Sequence, residues 1–87
     1  MKIWNAYVLN GWRLYVVAKE GKKWVTLIDF ATLEQVRIER GHWGRLARAE
    51  VPIGSVKMFK RNLRAKLAEA KRHGRRVPTK VVKSLLA

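Results

Sequence analysis

The sequence predicts an α+β chain: a small five-stranded antiparallel meander, or partly open barrel, over residues 1–53, then a basic amphipathic helix and a short C-terminal helix in residues 54–87. Three observations carry this reading. The hydrophobic period changes from two to about 3.6 near Pro52 and Gly54. Glycines and an Asn-Gly pair punctuate the first half at strand-length intervals. Charge shifts at the same boundary: residues 1–53 hold nine Lys or Arg against five acids, a net of +4, whereas residues 54–87 hold eleven against one, a net of +10. With 87 residues in all, a single domain is expected.

The first hairpin is expected at Asn10-Gly11, which supplies the positive φ angles of a two-residue type I′ turn. Strands then fall near 2–9 and 12–19. Glu20, Gly21, Lys22 and Lys23 make the next turn, and further strands are predicted over 24–30, 34–40 and 45–51. Gly41 and Gly44 bracket the fourth turn; the bare GXXG pattern of Gly41-His42-Trp43-Gly44 sits between predicted strands and reads as that turn. Two-residue closure sets Leu9 opposite Trp12, Tyr7 opposite Leu14 and Ile3 opposite Ala18 on a core face. The other face collects Lys2, Trp4, Ala6, Val8, Arg13, Tyr15, Val17 and Lys19, joined by Trp24, Thr26 and Ile28. Its aromatics either stack bases or lie beneath the helical half as a second core layer. Burial is the expectation, because large exposed apolar patches are uncommon. In strand number and spacing this half resembles an SH3-like small barrel, with an OB-like barrel as the nearest rival.

In the second half Ser55 is placed as an N-cap and Gly74 as the C′ residue of a helix. Val56, Phe59, Leu63, Leu67 and Ala70 fall within an arc of roughly 80 degrees and form the buried stripe. Lys57, Lys60, Arg61, Arg64, Lys71 and Arg72 occupy a separate arc of roughly 120 degrees that contains Ala68 and no acid. Glu69 lies elsewhere on the wheel, three residues from both Lys66 and Arg72, and is expected to pair with one of them. Arg75 and Arg76 follow, so Lys71, Arg72, His73, Arg75 and Arg76 make one positive knot. Thr79 is expected to cap a last helix over 80–87, anchored by Val81, Val82, Leu85 and Leu86.

Like charges three and four residues apart destabilise a helix, and solubility alone does not require one sign. A polyanion relieves that repulsion, and counterion release from nucleic acid adds to it. The expected partner is therefore the phosphate backbone of DNA or RNA, bound largely without sequence specificity. The contacts are assigned to Lys57, Lys60, Arg61, Arg64, Lys71, Arg72, Arg75 and Arg76, with the guanidinium groups leading because they grip phosphate oxygens in pairs. Arg45 and Arg48, beside Trp43, alternate across a regular strand, so at most one extends this surface. The competing reading is a small interaction protein, such as a virally encoded inhibitor, that docks on an acidic surface or nucleic-acid channel of a larger nucleic-acid-processing machine.

Catalysis is not expected. His42 and His73 stand singly in different halves, and Ser55 and Ser84 have capping or surface explanations. Asp29, Glu34 and Glu39 match no nuclease pattern and are explained by turn formation and surface exposure. No metal or cofactor is expected, and the absence of cysteine excludes disulfides and thiolate metal sites. The longest apolar run, residues 14–18, is far short of a membrane span. Asn5 and Asn10 interrupt the N-terminal apolar stretch, so no secretory signal is expected and the location is read as cytoplasmic. Membrane-surface binding is disfavoured because insertion would withdraw the apolar stripe from the β half.

Overall fold

The computed structural model describes residues 6–9, 13–51 and 54–87. It contains strands β1 (Ala6–Leu9), β2 (Arg13–Glu20), β3 (Trp24–Asp29) and β4 (Gln35–Glu39), a short helix α1 (Arg40–Arg45), strand β5 (Ala49–Val51), and helices α2 (Val56–Arg72) and α3 (Thr79–Leu86). The five strands form one antiparallel sheet in the order β4-β3-β2-β1-β5. Among the described residues β4 and β5 do not pair with each other, so the sheet is open. Helices follow the sheet, as the change of hydrophobic period implies.

The first hairpin departs from the two-residue closure. Tyr7 pairs with Tyr15, Val8 with Leu14 and Leu9 with Arg13, which leaves three residues between the strands. One residue of slip moves every side chain of a strand to the other face. Leu14 is accordingly exposed and opposite Val8, while Tyr15 joins Tyr7 and Leu9. Lys2, Ile3, Trp4, Asn10, Gly11, Trp12 and Pro52, which the expected register, aromatic face and boundary also invoked, lie outside the described residues.

A second shift occurs inside β2. Lys19 pairs with Thr26 and Glu20 with Val25, but Val17 pairs with Leu27 and Tyr15 with Asp29, so Ala18 is an extra residue in the ladder. Without this bulge Tyr15 and Val17 would share a face with Ile28, as simple alternation predicts. With it, they are turned to the opposite side.

Both faces of the sheet are consequently buried. One packs Val16, Ile28 and the turn residue Leu33 against Phe59, Leu63, Leu67 and Ala70 of α2 and Val82 and Leu85 of α3. The other gathers Leu9, Tyr15, Val17, Val25 and Leu27 around Trp43, with Tyr7, Val36, Ile38 and Leu46 at its border. The expected cover of Tyr15 by the helical half is thus corrected: Tyr15 is buried on the side away from α2 and α3. Trp24 is not covered and remains 38 % exposed.

Residues 40–45 also differ from expectation. They form a helix in place of the end of a strand and a glycine turn, and β5 shrinks to three residues. Burial of Trp43 explains the change. Its ring meets Tyr7 edge-on at 5.5 Å, and the Arg48 guanidinium lies over it at 4.1 Å while donating to the Trp43 carbonyl. Arg45 donates to the Gly41 carbonyl at 3.3 Å.

Candidate nucleic-acid interface

Helix α2 starts and stops where its capping residues dictate. The Ser55 hydroxyl accepts from the Met58 amide at 3.1 Å. At the other end Gly74 takes φ of +66°, its amide donates to Lys71 and the Arg75 amide donates to Ala70, a Schellman closure. Phe59, Leu63, Leu67 and Ala70 are buried as the apolar stripe requires. Val56 is not: it is 44 % exposed, because the stripe first meets the core one turn later at Phe59.

Seating that stripe on the sheet turns the basic arc outward. Lys57, Arg61, Arg64, Lys71 and Arg72 are exposed along α2, and Arg75 and Arg76 are exposed just beyond its cap. From Lys57 to Arg72 the face runs about 22 Å, which corresponds to about six phosphate steps along one strand. Lys60 behaves differently. It is half-buried, and its ammonium donates to the Ala87 carbonyl at 3.1 Å, tying α2 to the end of α3.

Nothing acidic neutralises the arc within the described residues. Glu69 forms no ion pair within 4.0 Å with Lys66 or Arg72; the ion pair found among the described residues joins Arg13 to Asp29 at 3.7 Å. Lys66 instead lies 5.2 Å over the Phe30 ring, which itself stacks on Phe59. Helix polarity separates the cations into two groups. Lys71 and Arg72 are in the last turn of α2, where the dipole favours positive charge. Lys57 is in the first turn, where the dipole opposes it, and no acid shares that turn. Arg75 and Arg76 line a shallow cleft of about 300 Å³ together with Thr32 and Glu34, so one carboxylate borders that end of the surface.

Other assignments resolve differently. Arg48 is occupied with Trp43 and Arg45 with α1, so neither extends the α2 surface through a fifth strand. Thr79 does not cap α3; the helix begins at Thr79 itself, whose hydroxyl donates back to the Val77 carbonyl at 3.2 Å. Val82 and Leu85 are buried, with Val81 and Leu86 packed at their border, as anchoring requires. Asp29 ends β3 and organises the turn after it, accepting from the amides of Ala31 at 2.8 Å and Thr32 at 3.2 Å.

Sequence reasoning missed a second basic concavity. A groove of about 590 Å³ runs between the β2–β4 side of the sheet and α3, bringing together Lys19, Lys22, Lys23, Arg37 and Lys80 around Trp24. Lys19 and Trp24 were expected on one face. The arrivals of Arg37 and Lys80 depend on β4 register and on where α3 lands, neither of which is encoded in local spacing. Among the described residues no helix is long and apolar enough to cross a membrane, and no three His, Cys, Asp or Glu side chains converge as a metal site would need. Comparison with protein-family models, with curated proteins and with solved structures finds no match for this chain.

Proposed function

We propose that this chain is a non-enzymatic nucleic-acid-binding protein that holds the phosphate backbone, largely without sequence specificity, through α2 and the arginine turn that follows it. The observation carrying this reading is the exposed single-signed arc of Lys57, Arg61, Arg64, Lys71 and Arg72, free of ion pairs within 4.0 Å among the described residues. Lys57 adds weight because it stands against the helix dipole and gains nothing there for the fold. Arg75 and Arg76 continue the surface, and Lys60 contributes charge from its seat beside α3. The sheet is the frame: we read it as an open SH3-like barrel, in which β1 to β4 form a meander and β5 returns beside β1.

Charge reversal tests the assignment. The triple variant Arg61→Glu, Arg64→Glu, Arg72→Glu is expected to abolish binding of labelled duplex in fluorescence anisotropy, with the helical circular dichroism signal retained. About five to seven neutralised phosphates predict a loss of roughly 10³-fold in wild-type affinity between about 50 and 200 mM salt. Unchanged affinity in the triple variant removes the site. A salt-insensitive protein that binds no nucleic acid and captures an acidic protein partner would replace this reading with that of a docked inhibitor.

A further inference from the structure

We infer that the groove between the sheet and α3 is a second binding site, for a segment of single-stranded nucleic acid, with a base stacked on Trp24 and phosphates held by the surrounding lysines. This rests on the nucleic-acid reading above and adds to it a site on a different part of the molecule. Three features of the groove support it.

The first is charge. Lys19, Lys22, Lys23, Arg37 and Lys80 all line the concavity, and none of its described lining residues is acidic. Glu39, which pairs across the ladder from Trp24, stands outside that lining. Five cations converging on one concave surface raise the local concentration of a polyanion more than the same charges on a convex one.

The second is an aromatic surface that is open but already held in place. Trp24 is 38 % exposed, and the Arg37 guanidinium sits 4.9 Å from its ring centroid. A ring fixed by a cation loses little side-chain freedom when a base stacks on it. Indole stacking beside cations is the general means by which proteins hold unpaired bases, and it tolerates any base because each has a π face. Bases in a duplex are not available to it, which is why the ligand is a single strand.

The third is rigidity of the turn bearing Lys22 and Lys23. The Gly21 amide donates to the Trp24 carbonyl at 2.9 Å, the Arg40 amide donates to the Lys23 carbonyl at 2.8 Å, and the Arg40 side chain donates to the Gly21 carbonyl at 3.1 Å. A Cβ on Gly21 would stand 3.0 Å from the Trp24 carbonyl oxygen, a contact tight enough that the carbonyl would have to shift by a few tenths of an ångström. Both lysines therefore project from a turn that is fixed before any ligand arrives.

The test compares a labelled oligothymidine single strand with a labelled duplex, each titrated with the wild type, Trp24→Ala, Trp24→Phe, Lys22→Glu/Lys23→Glu and the α2 triple variant. Trp24→Ala is expected to weaken single-strand binding about 5- to 150-fold, the equivalent of one lost stacked base, and to leave duplex binding within about twofold. Trp24→Phe retains most of the affinity, which shows that the ring and not merely a folded strand is responsible. The double charge reversal, on an exposed turn, weakens the single strand without touching the ring. The site is overturned if Trp24→Ala and Lys22→Glu/Lys23→Glu both bind the single strand within twofold of wild type, or if poly-glutamate of equal charge competes as well as the oligonucleotide. Wild-type binding of duplex alone overturns the groove and leaves the α2 surface standing; binding of neither probe overturns both. Single-strand binding that survives in the α2 triple variant and is lost in Trp24→Ala supports the groove; duplex binding that also survives in the triple variant sinks the α2 assignment.

Discussion

Asp29 shows how one carboxylate can be wholly accounted for by the fold. It is buried, accepts two backbone amides of the β3–β4 turn and faces Arg13. Replacing it with alanine leaves those amides without their acceptor, so Asp29→Ala is expected to cost about 1–3 kcal/mol in urea unfolding. Asp29→Asn keeps an acceptor oxygen and should lose less; equal losses for the two would make the charge, not the hydrogen bonds, responsible. The same turn contains Leu33 at φ of 63°, a left-handed backbone that is costly for a residue with a Cβ. That conformation costs about 1–2 kcal/mol, whereas burying a leucine contributes about 1.5–3 kcal/mol, so the side chain prevails. Leu33 is indeed packed among the α2 and α3 side chains.

Helix α2 was the most legible element, because its caps, stripe and charged arc are all local or periodic features. Ser55→Ala is expected to cost about 1 kcal/mol, seen as a lower denaturation midpoint with unchanged slope. No change would mean the Met58 amide finds water instead. The sheet was harder to read. Its strands were placed near their actual positions, yet Tyr15 and Val17 of β2 fall on the opposite face from the one expected, since a three-residue connection after Leu9 shifts alternation by one and a bulge at Ala18 shifts it back. Neither leaves a mark in hydrophobic period: Ala18 is a residue that either face tolerates. Residues 40–45 escaped for another reason. Two glycines in six residues argue against a helix, and only the tertiary burial of Trp43 overrides that preference. The α2 surface was thus visible in the sequence, whereas the Trp24 groove is a product of β4 register and α3 placement.

At the scale of the molecule, a formal charge of +14 on 87 residues opposes compaction. One ion pair, between Arg13 and Asp29, is found among the described residues, so repulsion exceeds attraction at the surface. Raising sodium chloride from about 50 to 500 mM is therefore expected to raise Tm by several degrees, because screening shortens the reach of like charges to a few ångströms. A fall in Tm would mean that attractive pairs dominate. The open sheet has a related consequence. Strands β4 and β5 end the sheet, each paired on one side only among the described residues, and such margins invite one copy of a chain to zip onto another. Mutual repulsion at a formal charge of +14 opposes such pairing. A polyanion bound as proposed would cancel that repulsion and so remove the colloidal barrier between neighbours. On the proposed function, copies bound along one strand would lose that protection at both margins of the sheet.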